Sequence, residues 1–131
     1  MTAKPKDANA SYGFVYVLSN ISIDGYKIGA TVHDPTLRVR QLSGSTSVPT
    51  PFQLVYTRYV QSPFMVEAAL HRALAQYRIN DSREFFRLPL RLVIEEAEKY
   101  RSYPPPHSHA DIGGSAYLFA ELFASEQLLG S

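Results

Sequence analysis

The 131-residue chain contains no cysteine. This absence excludes disulfide frameworks, cysteine-ligated zinc, iron–sulfur clusters and thiol nucleophiles. Long apolar stretches are lacking as well, because no run exceeds the five residues of Phe14 to Leu18, which is too short for a signal peptide or a membrane span. We therefore expect a cytoplasmic protein that has no membrane partner and performs no redox chemistry through its own side chains.

The composition is that of a folded protein. Hydrophobic residues make up 45% of the chain and charged residues 19%, and 9 Tyr and 7 Phe supply large side chains for a core. A length of 131 residues suits one domain and leaves too little for two. We expect one folded domain with tails.

Charge is distributed unevenly along the chain. Residues 1–91 carry 11 Lys and Arg against 6 Asp and Glu, a net charge of +5, whereas residues 92–131 carry 2 against 6, a net charge of −4. A basic body of this kind suits a phosphate-bearing partner, although the excess alone is too small to establish nucleic-acid binding. The choice of function therefore depends on motifs.

Four segments are expected. Residues 1–11 are polar and predict a flexible N-terminal tail, residues 12–102 the folded domain, and residues 103–109, with three consecutive prolines, a stiff linker. Residues 110–131 predict an amphipathic C-terminal helix whose apolar stripe must pack either on the domain or on a second copy of the chain. We favour a homodimer through this helix. The stripe consists of Leu118, Phe119, Leu122, Phe123 and Leu129.

Two runs rich in β-branched and aromatic residues, 12–18 and 26–31, flank a loop and predict a β-hairpin. If the hairpin closes symmetrically about Ile21–Ser22, Tyr16 lies opposite Lys27. Opposed residues share a face of the sheet. The hairpin would therefore place a phenol beside an ammonium group.

A helix is predicted from Asp34 to about Ser43, where Gly44 would end it. Asp is a good N-cap, and the proline that follows it is a good first helical residue. At about 100° per residue, Arg38 falls inside the arc of apolar side chains on this helix, and Arg40 points the other way. We expect Arg38 to face the domain and Arg40 to face solvent.

The remaining elements follow from similar signals. Residues 52–60 predict a third strand, and residues 62–77 and 90–100 predict two further helices. The predicted fold class is α+β, with a small three-stranded antiparallel sheet flanked by helices.

Several motifs follow one another along these elements. Phe14-Val15-Tyr16 precedes Tyr26-Lys27-Ile28-Gly29, and Arg38, His71 and Glu84 follow on later elements. Over about residues 12 to 95, this order and spacing resemble the GIY-YIG nuclease superfamily. The most similar branch is the phage and bacterial open-reading-frame-172 type, whose second motif reads KIG. The chain departs from the superfamily pattern by having Phe14 at the first glycine, Lys27 at the second tyrosine and no clear asparagine after the glutamate.

The resemblance implies a divalent-metal-dependent endonuclease that hydrolyses phosphodiester bonds, of DNA rather than RNA. Glu84 would hold one Mg²⁺ or Mn²⁺, because a hard carboxylate oxygen suits these ions. Tyr16, with an ordinary pKa of about 10, would act as a general base aided by the Lys27 cation. Arg38 would clamp the phosphoryl oxygens, and His71 is a secondary catalytic candidate.

Each candidate also has a structural interpretation. Tyr16 can be a core residue, Lys27 a solvated edge charge and Glu84 the partner of a neighbouring arginine. Glu67 and His71, one helical turn apart, can ligate metal, contact substrate or only stabilise their helix.

Two other functions compete with the endonuclease. One is a nucleic-acid-binding module of the same fold with weak or no cleavage, which the altered motifs favour. The other is a protein-interaction adaptor that acts through the C-terminal helix.

Overall fold

The computed structural model describes residues 11–45, 49–79 and 84–106. These ranges contain four strands, three α-helices and one short 3₁₀ turn. In chain order they are β1 (Tyr12–Asn20), β2 (Ile23–Thr31), α1 (Pro35–Ser45), β3 (Gln53–Gln61), α2 (Pro63–Ala73), the 3₁₀ turn (Ala75–Tyr77), β4 (Phe85–Phe86) and α3 (Leu90–Ala97).

The strands form one antiparallel sheet in the order β3-β1-β2-β4. The predicted α+β class is confirmed, but the predicted count of three strands is wrong. The fourth strand is only two residues long, and Phe85 and Phe86 pair with Lys27 and Tyr26 of β2. A two-residue strand is too short to show the alternation by which strands are predicted.

The β1–β2 hairpin turns where predicted but pairs differently. Asn20 pairs with Ile23, which places the turn at the two residues between them. Further along the hairpin, however, Tyr16 lies opposite Gly29 and not opposite Lys27. The shift is two residues, so Lys27 still lies on the sheet face that carries Tyr16.

An irregularity in β2 produces this shift. Three residues of β2 lie opposite the single Ser19 of β1, so that Leu18 pairs with Lys27. One of the three is Gly25, which has a φ of 154°, and a Cβ there would lie 2.7 Å from the Phe86 carbonyl oxygen. Glycine is the residue that tolerates both conditions.

Helices α2 and α3 cover one face of the sheet and bury the larger core. Val15 and Val17 of β1 and Ile28 of β2 point into this core and are fully buried. From the other side they meet Leu70 of α2 and Val93 of α3, also fully buried. Burial of this many aliphatic side chains is the main source of stability in a domain of this size.

Helix α1 covers part of the opposite face. Asp34 caps it as predicted, because its carboxylate accepts a hydrogen bond from the Thr36 backbone N–H at 3.0 Å. The helix continues through Gly44 to Ser45 and does not end at Gly44. A glycine lowers helix stability without forbidding the conformation.

The smaller core beneath α1 is built from Tyr16, Leu18, Phe52 and Leu54. Other boundaries differ modestly from the predictions: β3 begins and ends one residue later, α2 gives way to the 3₁₀ turn after Ala73, and α3 ends at Ala97. No helix within the described ranges is long and apolar enough to cross a membrane. The predicted C-terminal helix lies outside the described residues, and the homodimer through it stays a prediction.

Candidate active site

Tyr16 lies at the centre of the sheet with its ring against the backbone of β2. The residue is 2% exposed and sits opposite Gly29. A Cβ at Gly29 would overlap the tip of the Tyr16 ring. The glycine of Lys27-Ile28-Gly29 is therefore required for the position of the Tyr16 hydroxyl.

Arg38 is the cation that contacts Tyr16. Its guanidinium favours the ionised form of the phenol through its charge and through hydrogen bonding. Burial raises the pKa of Tyr16, and the hydrogen bond and charge of Arg38 act in the opposite direction. The Arg38 side chain is itself exposed and also approaches Gln41 Oε1 at 3.4 Å. A phosphate arriving from solvent would therefore meet the guanidinium before the phenol.

The helical-face prediction is correct only in part. Arg40 is exposed, as expected. Arg38 is exposed as well, and Leu37, which was counted in the apolar arc, is 43% exposed. Arg38 reaches Tyr16 because α1 crosses the sheet above it and a long arginine side chain extends beyond its own helix face.

Lys27 and Glu84 form an ion pair at the edge of the site. The Lys27 side chain is 8% exposed, whereas that of Glu84 is 51% exposed. Lys27 Nζ also lies 5.7 Å from the centre of the Phe85 ring. Burial lowers the pKa of Lys27 and the charge of Arg38 acts the same way, while Glu67 opposes the shift.

Strand pairing holds Glu84 in this position. Its carbonyl oxygen accepts a hydrogen bond from the Ile28 N–H at 3.1 Å, directly before β4 pairs with β2. The alternative partner Arg87 instead contacts Asp24, with Nε 3.2 Å from Oδ2. The other neighbouring arginine, residue 83, lies outside the described residues.

His71 links α2 to β2. Its Nε2 donates to the Ile28 carbonyl oxygen at 2.9 Å, and its ring lies 5.1 Å from that of Phe86. Glu67 Oε2 is 3.8 Å from the same nitrogen, so the predicted pair one helical turn apart is present. The structure thus places His71 against the backbone of Lys27-Ile28-Gly29.

Glu67 has a wider electrostatic influence than its sequence position indicates. Burial raises the pKa of Glu67, and His71 and Lys27 act against this shift. The same carboxylate raises the pKa of both Tyr16 and Lys27. One half-buried acid therefore acts on three candidate residues.

Residues 13–101 match the T5orf172 domain. The chain belongs to the T5orf172 domain family. This family is associated with nuclease-type domains, so membership points to a nuclease or a nucleic-acid-binding module. Searches of curated proteins and of solved structures give no significant match. The matched range of the T5orf172 domain includes every candidate residue from Tyr16 to Glu84.

Glu84 is the solvent-accessible carboxylate beside Lys27 in the candidate site. Among the described residues, no three His, Asp or Glu side chains form a cluster that could hold an ion. Glu84 would be the residue of this site that holds Mg²⁺ or Mn²⁺, because such ions can take one protein carboxylate and draw their other ligands from water and a substrate phosphate. The donor set fits one ion.

Sequence reasoning missed two contacts of this T5orf172 domain. It expected Lys27 to be the cation beside Tyr16, but the two-residue register shift moves Lys27 toward Glu84 and leaves Arg38 beside the phenol. It considered Glu67 together with His71, as a metal ligand, a substrate contact or a helix-stabilising pair, and did not predict its effect on Tyr16 and Lys27. Neither interaction could be predicted from the sequence, because both depend on how α1 and α2 cross the sheet.

Proposed function

We propose that this protein is a divalent-metal-dependent endonuclease that hydrolyses DNA phosphodiester bonds at a GIY-YIG-type site. The observation that supports this most strongly is the presence of a phenol, a guanidinium, an ammonium and a carboxylate in two contacting pairs on one face of the sheet. Tyr16 contacts Arg38, and Lys27, on the same sheet face as Tyr16, contacts Glu84. Family membership supports the same class of function.

Arg38 binds the scissile phosphate in this proposal. Its exposed guanidinium can donate two parallel hydrogen bonds to phosphoryl oxygens, a geometry that lysine lacks. The same group already acts on the Tyr16 phenol. Arg38 therefore holds phosphate and phenol next to each other, which places the attacking water close to the general base.

Tyr16 accepts a proton from the attacking water. Burial keeps its pKa above the usual value, so only a small fraction of the phenol is ionised at neutral pH. Arg38 increases that fraction by favouring the phenolate. We therefore expect cleavage to become faster as the pH rises.

Glu84 holds the metal ion, and Lys27 controls the charge of the same carboxylate. When bound, Mg²⁺ or Mn²⁺ would neutralise phosphoryl charge and stabilise the departing 3′ oxygen. Without it, the Lys27 ammonium neutralises Glu84. His71 acts as a positioning residue, because its hydrogen bond fixes the backbone between Lys27 and Gly29.

Plasmid nicking with and without Mg²⁺ tests the proposal. Glu84→Gln keeps the shape of the side chain but removes the charge that binds metal, so it should abolish metal-dependent nicking. Glu95→Gln is the matched control. Glu95 is an exposed carboxylate on α3 whose Oε2 lies 3.5 Å from Arg91 Nη1, in a surface ion pair away from the candidate site. Wild-type nicking by Glu84→Gln would refute the metal role.

A second function has support from one observation. Lys27 forms an ion pair with the Glu84 carboxylate and would compete with a metal ion for it. This competition favours a nucleic-acid-binding module that cleaves weakly or not at all. In that case the protein would bind DNA with a steep salt dependence and show no nicking at any Mg²⁺ or Mn²⁺ concentration.

A further inference from the structure

A chain of aromatic rings runs along the sheet away from Tyr16. We call it the aromatic platform, and it consists of Phe14, Tyr59, Tyr12 and Tyr103. The ring centres of Phe14 and Tyr59 are 4.9 Å apart, and those of Tyr59 and Tyr12 are 6.1 Å apart with nearly parallel planes. Tyr103 meets Tyr12 edge-on at 5.2 Å.

The aromatic platform lies on the same sheet face as the candidate active site. Tyr12, Phe14 and Tyr16 are alternate residues of β1, and alternate residues point to one face. Phe14 is also the cross-strand partner of Tyr59. Tyr16 follows Tyr12 by four positions along the strand, a distance of about 13 Å, which equals the rise of about four stacked bases.

Helix α1 does not extend the small core over this end of the face. Within the described residues, the cluster beneath α1 contains Tyr16 and Leu18 but none of the rings of the aromatic platform. Tyr12 remains 42% exposed although it touches two other rings. Phe14 is 5% exposed and Tyr59 and Tyr103 are half-buried, so Tyr12 is the ring of the platform that is most open to an occupant from solvent.

A cation borders the platform at its far end. The guanidinium of Arg101 lies 5.0 Å from the centre of the Tyr103 ring, and Arg101 is exposed. The segment that carries both residues is tied to the sheet, because the Tyr103 N–H donates to the Tyr59 carbonyl oxygen at 2.9 Å. Arg101 at one end and Arg38 at the other therefore bracket the rings with positive charge.

We propose that the aromatic platform binds an unpaired stretch of DNA next to the scissile phosphate, with bases stacked on Tyr12 and its neighbours. The platform consists of flat rings and not of branched aliphatic side chains, and rings bordered by arginines are what single-stranded nucleic acid requires. This inference rests on the proposed function for the choice of DNA. It adds that the substrate is single-stranded on one side of the cleavage site.

The test measures binding of the full chain to fluorescent oligo(dT) and oligo(rU) of about 12 nucleotides and to a duplex of equal length, in chelator so that nothing is cleaved. Tyr12→Leu removes the ring and keeps an apolar side chain, and Tyr12→Phe keeps the ring. Ile21→Ala is the control, because Ile21 is an apolar side chain that is 86% exposed at the hairpin turn. Arg101→Gln changes an exposed side chain and leaves the fold unaffected.

We expect Tyr12→Leu to weaken oligo(dT) binding about tenfold and duplex binding much less, whereas Tyr12→Phe and Ile21→Ala stay within about twofold of the native protein. Arg101→Gln should weaken oligo(dT) binding several-fold. Native affinity in both Tyr12→Leu and Arg101→Gln would overturn the proposal. A Tyr12-dependent preference for oligo(rU) over oligo(dT) would overturn the assignment to DNA.

Nicking measured in parallel separates this inference from the proposed function. If the native protein nicks DNA while both Tyr12→Leu and Arg101→Gln bind oligo(dT) normally, only the platform is refuted. A protein that never nicks but loses oligo(dT) binding in Tyr12→Leu supports the platform and refutes the nuclease.

Discussion

The two faces of the sheet differ in the kinds of side chain that cover them. The face under α2 and α3 is closed by aliphatic side chains such as Val15, Val17 and Leu70, all of which are fully buried. The face under α1 combines a small core with a phenol, an ammonium and a guanidinium. β1 contributes to both faces, because its residues alternate between them.

This difference shows how a small domain can tolerate buried polar groups whose charged forms are disfavoured. Burial raises the pKa of Tyr16 and lowers that of Lys27, so each charged form is disfavoured where it lies. Such groups do not add stability and are tolerated because the opposite face supplies it. We call the face under α2 and α3 the closed face and the face under α1 the open face. Mutations on the closed face should therefore change mainly the free energy of unfolding, and mutations on the open face mainly the activity.

The largest effect on stability is expected at the centre of the closed face. Leu70→Ala should lower the free energy of unfolding by about 2–5 kcal/mol, because it leaves a cavity between α2 and the sheet. Met65→Ala, on the same helix but 73% exposed, should change it by less than about 0.5 kcal/mol. Urea denaturation measures both, and equal effects would contradict the assignment of the core.

The next largest effect concerns two arginines of α1. Arg38→Ala should lower the cleavage rate about 10²- to 10³-fold, because it removes both the phosphate clamp and the cation at Tyr16. Arg40→Ala, also exposed, should change only the affinity for DNA slightly. Single-turnover cleavage compares them, and similar losses at both positions would reduce the role of Arg38 to general charge.

The pH dependence of cleavage distinguishes the two cations. The charge and hydrogen bond of Arg38 act to lower the pKa of Tyr16, so replacement of Arg38 by Gln should move the rising limb of the pH–rate profile to higher pH. Lys27→Met should leave that limb in place, because Lys27 pairs with Glu84. A shift to higher pH in Lys27→Met would restore the predicted control of Tyr16 by Lys27.

The smallest effect is a gain in stability at Glu67. Burial raises the pKa of Glu67 in the folded state, so its ionisation opposes folding as the pH rises through that value. Glu67→Gln should therefore increase the melting temperature slightly at pH 7, and the gain should vanish below the ordinary pKa of 4.5. A lower melting temperature at pH 7 would show that the attraction of Glu67 to His71 and Lys27 prevails.

Part of the fold could be predicted because local signals agreed with the tertiary structure. The turn between Asn20 and Ile23 has a local hydrogen bond, from the Ser22 N–H to Asn20 Oδ1, and the cap at Asp34 is local as well. The register shift around Gly25 could not be predicted, because it depends on the approach of Phe86, which is 61 residues away in the chain. The two-residue β4 is defined only by its pairing with β2.

The candidate site shows the same division. The sequence motifs identified the candidate residues, and the structure places two of them, Tyr16 and Lys27, on one sheet face. Their partners were not predicted, because Arg38 and Glu84 arrive from elements whose crossing over the sheet is a tertiary property. The catalytic roles of these residues stay predictions.

The most direct test of the account is the cleavage rate of Tyr16→Phe, measured at saturating DNA together with its melting temperature. This variant removes one hydroxyl from the open face and keeps the ring that packs over Gly29. We predict nearly complete loss of kcat, with DNA affinity and melting temperature close to those of the native protein. Native kcat in Tyr16→Phe would contradict the account, because the open face would then carry no chemistry at its central residue.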